Sequence, residues 1–526
     1  MTQKQATPGQ PDCPQDSEGL LDNPQRRQLF KRAALGGGAV LAAGLGAYGV
    51  GRVSIEGKLN PGWPQLADDF KPFPGRDHMW SYAGSPMLMM RHPERNEQFG
   101  RLNKDNPNYN FQLQVPRFEQ KGWDNSRLGF TQLDRSLSHA AWCPPHKWDL
   151  RLGAMGVPDT TWFSWDQSDV EHEQYQFGSK LEAANAIRSA ARLFGAIRCG
   201  IAKRDKRWDY DPIYHAGATV EMMETMEAQG VSKITDQAEM AKAMQGAMEH
   251  FKPVDRELSW EEDFPFEPKT VIVMAVPMDY DNLATAPTFT SGGTVGDGYT
   301  KMATLASQMA KFIRGLGYHA VASGNDLGNS VAYGIAAGLG EGARNGQLIV
   351  PGYGPRLRLC KVYTDLEFVD HDQPRSWGIE EFCKSCKKCA EACPSKALPM
   401  GEDTTFTFVG EHSEQPGYNW NNHEGIKKFH VDSKRCFDYW MESDGDCAAC
   451  NAACTFNEPD FWHHWMIVAA NPFIPDVLHS AMSEMHPAFG YGSTQNPAKV
   501  TKFWNTGEGM RVNATNRNVF GAVGRS

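Results

Sequence analysis

The sequence has no excess of positive charge. Its 53 Lys and Arg residues are outnumbered by 63 Asp and Glu residues, which gives a net charge of −10. A protein that binds nucleic acid needs a basic surface to neutralise phosphates, so we expect no nucleic-acid partner. No internal repeat is evident in the 526 residues, so a repeat architecture is not expected.

Two glycine-rich stretches lack the residues that define nucleotide-binding loops. Residues 323–330 read Ser-Gly-Asn-Asp-Leu-Gly-Asn-Ser, and residues 338–346 read Gly-Leu-Gly-Glu-Gly-Ala-Arg-Asn-Gly. Neither contains the Gly-Lys-Ser/Thr of a P-loop, and neither has the Rossmann spacing. One interpretation is ordinary turns and helix caps. The other is a close approach of the backbone to a large flat ligand, which glycine allows because it has no Cβ.

What the sequence does have is a dense cysteine pattern towards its C-terminal end. The first run, Cys383-x-x-Cys386-x-x-Cys389-x-x-x-Cys393, matches the bacterial ferredoxin spacing. In that spacing the fourth cysteine of the run binds the neighbouring cluster. We predict two [4Fe–4S] clusters, one on Cys383, Cys386, Cys389 and Cys454, and the other on Cys393, Cys436, Cys447 and Cys450. A lone C-x-x-C could instead bind zinc or form a redox dithiol, but two interlocked sets of four favour clusters.

The second cluster motif contains a wide gap. Residues 437–446 separate Cys436 from Cys447, and we predict that they form an inserted loop beside the cofactor. The remaining cysteines are scattered and are not expected to form a framework; they are Cys13, Cys143, Cys199 and Cys360.

The amino terminus predicts an export signal. After a polar start, Arg26-Arg27 precedes a mildly apolar Ala/Gly/Leu-rich run that extends to about Val53. Paired arginines before such a run are typical of a twin-arginine signal. A membrane-spanning helix is the alternative, but five glycines between residues 36 and 46 lower its helix propensity.

Apolar patterns in the middle of the chain predict a mixed α/β domain. Strands are expected at residues 270–276, 320–323, 347–351 and 358–364, and helices at residues 181–197, 299–316 and 330–338. We further predict a basic surface turn at residues 203–208 and a helical insertion at residues 221–251. Four tryptophans precede this region and either pack in the core or line an apolar pocket; they are Trp142, Trp148, Trp162 and Trp165.

The order of these features resembles that of the respiratory reductive dehalogenases, which are corrinoid and iron–sulfur enzymes. The resemblance rests on the signal, the two glycine-rich stretches, Val362-Tyr-Thr-Asp-Leu366 and the paired cluster motifs, and it is specific from residue 270 to residue 454. It implies an α/β (α+β) cobalamin-binding, nitroreductase-like core followed by a ferredoxin-like domain with two [4Fe–4S] clusters. No Asp-x-His-x-x-Gly motif occurs, so a base-off corrinoid without a histidine ligand is expected.

The resemblance also implies a division of the chain. Residues 1–52 would be the start and the export signal, and residues 53–191 a wrapping region that shapes the substrate pocket. The corrinoid domain would span residues 192–376 with an insertion at about residues 217–268. The cluster domain would span residues 377–464, and residues 465–526 would be a covering segment.

The resemblance assigns roles to individual residues. Tyr299, in Gly296-Asp-Gly-Tyr-Thr-Lys-Met302, matches the catalytic proton donor. Asn325 matches an asparagine that faces the substrate, and Arg358 the active-site arginine, with Arg356 as the alternative register. Trp440 matches an aromatic residue of the pocket. The implied corrinoid contacts are Gly324, Gly340, Asn345 and Gly346.

The chemistry explains why these residue types are needed. Cleaving R–X to R–H and halide takes two electrons and one proton, and the organometallic part belongs to the cofactor. Two clusters deliver electrons, and a tyrosine acts as general acid. Tyrosine has a pKa of about 10 and is a reluctant donor, so a neighbouring guanidinium that stabilises tyrosinate is expected.

The family resemblance implies partners and a location. The partners are an organohalide substrate, a small membrane-anchor protein, a quinol-linked electron donor and the twin-arginine export machinery, and a homodimer with a second copy of the chain stays open. The location is the periplasmic face of the cytoplasmic membrane. Two alternatives remain open at this stage. One is an epoxyqueuosine-reductase-like corrinoid enzyme that modifies tRNA, and the other is a non-catalytic exported iron–sulfur electron carrier.

Overall fold

The computed structural model describes most of the chain from residue 57 onward. The described ranges are 57–79, 123–149, 167–215, 256–414, 418–443, 446–458, 476–488 and 496–505, with isolated positions between them, and all belong to one compact unit of residues 53–526. The predicted export signal, Trp162, Trp165 and most of the predicted insertion lie outside the described residues.

A four-stranded sheet forms the centre of the fold. Its strands are β1 (Arg198–Lys203), β2 (Thr270–Pro277), β3 (Ala320–Ser323) and β4 (Leu357–Thr364). The spatial order is β1-β2-β4-β3, and every neighbouring pair is antiparallel. The α+β description of the core therefore applies to this sheet. Strand β2 forms because its run of β-branched residues suits a strand buried on both faces.

The two faces of the sheet bury different sets of side chains because neighbouring residues of a strand point to opposite sides. Ile272 and Met274 pack in one core. Val271 and Val273 pack in the other. Each face is covered by helices, which gives a layered α+β architecture.

Helices surround this sheet. They are α1 (Gln132–Asp149), α2 (Lys180–Leu193), α3 (Phe289–Gly315), α4 (Ser330–Ala336), α5 (Ile379–Ser385), α6 (Lys388–Glu391), α7 (Ser433–Ser443), α8 (Ala449–Ala452), α9 (Asp476–Ala488) and α10 (Pro497–Asn505). Single helical turns occur at Gly75–Asp77, Tyr280–Leu283 and Tyr418–Asn421. Within the described ranges, no helix combines the length and the apolar character needed to cross a membrane.

Short strand pairs complete the fold. Lys58–Leu59 pairs with Arg375–Ser376, Ile213–His215 with Arg256–Leu258, and Glu341–Gly342 with Leu348–Ile349. The last pair lies within and just after the second glycine-rich stretch. The strand predicted at residues 347–351 is therefore present but shorter.

Helix α3 begins ten residues before its predicted start at Tyr299. A capping box between Thr288 and Ser291 fixes its first turn. The sequence obscured this start because four glycines, which have poor helix propensity, fall in the first part of the helix. These glycines allow α1 to approach closely: a Cβ at position 296 would lie 2.8 Å from Cγ of Trp142.

Replacing Gly296 with alanine should destabilise the protein despite the better helix propensity of alanine. The added methyl group would collide with the Trp142 ring, and overpacking of this kind costs about 1–3 kcal/mol. Thermal unfolding measures the effect. The matched control is Gly315→Ala at the end of the same helix, where a Cβ would meet nothing within 4 Å; it should leave the melting temperature equal or higher.

One local prediction holds in part and another was wrong. In the turn at residues 203–208, Lys203, Lys206 and Arg207 are exposed, as predicted for a basic surface turn. The Arg204 side chain is only 5% exposed and pairs with Asp209 at 2.8 Å, and Trp208 is 1% exposed, so these two residues belong to the interior. Residues 437–446 are not wholly a loop, since α7 continues through Ser443.

Candidate active site

The eight cysteines of the predicted cluster motifs gather into two groups. Cys383 and Cys389 are carried by α5 and α6, and Cys454 follows α8. Burial raises the pKa of Cys389, and Cys454 and Cys383 raise it further, followed by Cys450 of the second group and Cys386.

The second group is built in the same way. Burial raises the pKa of Cys436, which lies on α7, and Cys450, Cys447 and Cys393 raise it further. The described cysteines form no disulfide. Among the described residues, no three His, Cys, Asp or Glu side chains are placed to hold a single metal ion. The four thiolates of a cubane, in contrast, each bind a different iron atom.

The two groups face different cavities. Cys383, Cys386, Cys389 and Cys454 line a small cavity together with Arg344. Cys393, Cys436, Cys447 and Cys450 line a large cavity of about 480 Å³. A cluster on the second group would therefore be the one beside the large cavity.

Arg344 was missed by the sequence analysis, although an arginine within a glycine-rich stretch was a visible signal. Its side chain is 0% exposed. It donates hydrogen bonds to the carbonyl oxygens of Cys383 at 3.1 Å, Cys386 at 3.0 Å, Pro399 at 2.6 Å and Gly401 at 2.6 Å. Arg344 thus ties the end of α5 and the loop after it, where Cys383 and Cys386 lie, to residues 399 and 401.

Replacing Arg344 with methionine should empty the first cluster site. The change would leave several buried carbonyl groups without donors, at about 1–3 kcal/mol each, and would loosen the loop. We expect iron to fall from about eight to about four atoms per chain, since each cluster holds four. Lys384→Met is the matched control, because that lysine lies on α5, the helix of Cys383, with its side chain 38% exposed and paired with Glu381. Its iron content should stay unchanged.

The structure brings Tyr299, Asn325 and Arg358 together from three elements. Tyr299 lies on α3 and is 6% exposed, Asn325 follows β3, and Arg358 is on β4. Asn325 Nδ2 donates to the Tyr299 hydroxyl at 3.4 Å. The guanidinium carbon of Arg358 lies 4.6 Å from the centre of the Tyr299 ring. All three residues line the large cavity.

A glycine makes room for this arrangement. A Cβ at position 298 would lie 2.9 Å from Cγ of Arg358. The side chain of Arg358 therefore crosses α3 at a residue without a side chain, next to Tyr299.

Trp142 packs against Tyr299, and Asp446 holds the Trp142 ring by a hydrogen bond. The Trp142 ring lies 5.1 Å from the Tyr299 ring, and its Nε1 donates to Asp446 at 2.8 Å. Burial raises the pKa of Asp446 to about 6, while Arg358 and the Trp142 hydrogen bond lower it. The sequence analysis left two interpretations open for Trp142 and did not single out Asp446, because the two residues are 304 positions apart.

Some of the other predicted pocket residues line the large cavity and some do not. Asn345, Gly346 and Trp440 line the large cavity, whereas Gly324 and Gly340 are not part of its described lining. The alternative arginine, Arg356, is 2% exposed and donates to the carbonyl oxygens of Gly352 and Glu458 instead.

Comparisons with known proteins identify relatives of this chain. The family described as 4Fe-4S dicluster domain matches residues 382–457. Tetrachloroethene reductive dehalogenase of Desulfitobacterium hafniense (strain Y51) is 37% identical over 426 residues, covering 74% of this chain and 75% of that protein. The protein of the same name from Sulfurospirillum multivorans is 31% identical over 407 residues, covering 74% and 72%.

A solved structure shares the fold. The catabolic reductive dehalogenase NpRdhA superposes with a TM-score of 0.51 at 18% identity and covers 83% of this chain. This chain spans about half of that protein, 49% of its length. Family membership follows from the sequence relatives, which exceed 30% identity over most of both chains. The chain therefore belongs to the reductive dehalogenases, oxidoreductases that act on carbon–halogen bonds, and it carries a 4Fe-4S dicluster domain.

Proposed function

We propose that this reductive dehalogenase holds a base-off corrinoid in the large cavity and reduces it through its two clusters. One observation carries the proposal: the second cysteine group and the Tyr299–Asn325–Arg358 set line the same cavity. The proposed electron source and the proposed proton donor thus face one volume. Electrons would pass from the cluster near Arg344 to the cluster beside the cavity.

The cavity wall carries polar atoms that suit such a ligand. Asn421 Oδ1, Asn422 Nδ2 and His423 Nδ1 are buried, and no group in the described part of the chain hydrogen-bonds to them. All three residues line the large cavity. Buried polar groups are normally paired, and a corrinoid ring is edged with amide groups that can donate and accept. We propose that these three residues, together with Asn345 and Gly346, hold the corrinoid.

The protein residues near Tyr299 would perform the proton chemistry. When bound, the corrinoid cobalt supplies the electrons that break the carbon–halogen bond. Tyr299 donates the proton that replaces the halogen. Arg358 stabilises the resulting tyrosinate by its positive charge and does not itself release a proton. Asn325 donates to the phenol oxygen and holds it towards the cavity.

We propose chlorinated ethenes as the substrate class. The relatives named above are tetrachloroethene reductive dehalogenases. Apolar side chains contribute to the cavity wall, among them Val295 and Met302 on the helix of Tyr299, and Trp440 on α7. Such a wall suits a small apolar substrate that has no group to form hydrogen bonds.

The proposed setting is anaerobic respiration outside the cytoplasm. The Arg26-Arg27 segment supports export by the twin-arginine route. A small membrane-anchor protein and a quinol-linked donor would then connect the enzyme, at the periplasmic face, to the respiratory chain.

Anaerobic assay of corrinoid-loaded protein with reduced viologen tests the function. The substrates are tetrachloroethene, a chloroalkane, a chlorophenol and a bromophenol, and the readout is halide release. We expect turnover of tetrachloroethene above that of the aromatic compounds. Turnover of bromophenol alone would contradict the proposed substrate class, and the absence of any halide release would contradict the function.

A further inference from the structure

The central sheet contains one lysine in an unusual position. Lys361 lies on β4, paired with Val273 of β2 and Ser323 of β3, and it is 0% exposed. Its neighbours in the chain are Cys360 and Val362, so the lysine lies between two buried apolar residues of the strand. Burying an ammonium group costs free energy that an apolar residue would not. A residue that only filled this space would not need the charge.

The ammonium group of Lys361 contacts the loop that presents Asn325. It donates one hydrogen bond to the carbonyl oxygen of Gly324. It donates another to Oγ of Ser330 at 2.7 Å. Both acceptors lie within five residues of Asn325.

These two hydrogen bonds bias the direction of the Ser330 hydroxyl hydrogen. Ser330 Oγ lies 3.3 Å from the carbonyl oxygen of Gly324 and also 3.3 Å from Oδ1 of Asn325. A hydroxyl has one hydrogen to donate. Lys361 already donates to the Gly324 carbonyl and not to Asn325, so donation by Ser330 to Asn325 satisfies an acceptor that Lys361 does not reach.

The Ser330 hydrogen bond in turn orients the amide of Asn325. With Oδ1 accepting from Ser330, the amide nitrogen is the atom that faces the Tyr299 hydroxyl, at 3.4 Å. In this orientation the amide donates to the phenol oxygen. Donation to the phenol oxygen favours tyrosinate and makes Tyr299 a better acid, whereas the flipped amide would accept from the phenol and favour the neutral form.

We propose that Lys361 is a positioning residue that acts through Ser330 to hold the Asn325 amide with its nitrogen towards Tyr299. The inference rests on the proposed role of Tyr299 as proton donor and adds a group that increases the acidity of its hydroxyl. Lys361 is not itself part of the cavity lining, and it reaches Tyr299 only through Ser330 and Asn325.

In the described part of the structure, few charged groups lie near Lys361 or near Tyr299, the two ends of this series of hydrogen bonds. Asp326, Asp209 and Cys360 face Lys361, and burial lowers the pKa of Lys361 to about 8 while these three groups raise it. The ammonium form is therefore present at neutral pH. Arg358 faces Tyr299, and Asp446 faces Arg358.

The test is the pH profile of kcat for Lys361→Met in the cluster- and corrinoid-loaded enzyme. Tyr299 must be protonated to act, so the wild-type rate falls as pH rises through its pKa. Without Lys361 the amide is free to turn and tyrosinate loses a donor. We expect the alkaline limb of the profile to move to higher pH. We expect kcat to fall about tenfold, because one hydrogen bond to a charged group is lost. KM should stay within about twofold of the wild-type value.

Ser330→Ala provides a second route to the same state if Lys361→Met folds poorly. It should give the same shift, and Ser330→Thr, which keeps the hydroxyl, should restore the wild-type profile. Lys301→Met is the matched control, because Lys301 lies on α3 near Tyr299 but is exposed and pairs with Asp297; its profile should not move.

Unchanged alkaline limbs in both Lys361→Met and Ser330→Ala would overturn the inference while leaving the proposed function intact. A Lys361→Met enzyme that loses activity but keeps the wild-type limb would also overturn it, because lost packing lowers the amount of active enzyme without moving a pKa. Failure of the proposed function itself would appear differently, as a wild-type enzyme that releases no halide.

Discussion

Replacing Tyr299 with phenylalanine is expected to lower kcat by about 10²–10⁴-fold, the usual contribution of a positioned general acid. The hydroxyl would be lost while the ring, which packs 5.1 Å from the ring of Trp142, would remain. Packing, cofactor binding and cluster content should therefore be unchanged. Halide release and iron and cobalt content, measured on the same preparation, separate a chemical defect from a folding defect.

Tyr318→Phe is the matched control for this change. That tyrosine lies outside the cavity lining and donates its hydroxyl to the carbonyl oxygen of Tyr175 at the surface. It should leave kcat unchanged. A Tyr299→Phe enzyme with wild-type turnover would remove Tyr299 from the mechanism.

Replacing Cys436 with alanine is expected to abolish turnover and to lower iron from about eight to about four atoms per chain, because one of two cubanes would lose a ligand. The lost cluster would be the one beside the large cavity, which Cys436 lines. Electrons arriving at the other cluster would then have no route to the cavity. Iron analysis and the EPR spectrum of the reduced protein measure the change.

Cys199→Ala is the control, because Cys199 lies on β1, away from both cysteine groups. Its iron content and activity should match those of the wild type. Full iron in Cys436→Ala would show that Cys436 is not a ligand and would undo the assignment of the second cluster.

The sequence predicted those parts of the site that depend on local spacing. The C-x-x-C steps place several cysteines within a few residues of one another, so the clusters could be inferred before any fold was known. Strands β2 and β3 were also predictable, since their apolar runs have the length and composition of buried strands. The roles of Tyr299, Asn325 and Arg358 were predicted from the family resemblance of the short segments around them, and the structure brings the three residues together.

The residues that the sequence analysis missed act across long distances in the chain. Asp446 bonds to Trp142, and Arg344 bonds to the loop of Cys383, 39 residues away. Lys361 reaches Gly324 only because β3 pairs with β4. No local pattern encodes such contacts, because they depend on how the sheet and its helices pack.

The early turns of α3 show a different reason for failure. Glycine has poor helix propensity, so the sequence argued against a helix at residues 289–298. Close packing against α1, where Trp142 sits on Gly296, outweighs that preference. The same glycines leave room for Arg358 beside Tyr299, so the residues that hid the helix also shape the site.

The dependence of dehalogenation on cobalt tests the account most directly. The protein is matured anaerobically with graded amounts of corrinoid, and cobalt, iron and halide release are measured on each sample. We predict halide release in proportion to cobalt, reaching its maximum at about one cobalt per eight iron atoms, as one corrinoid beside two cubanes requires. Full turnover by cobalt-free protein would contradict the account.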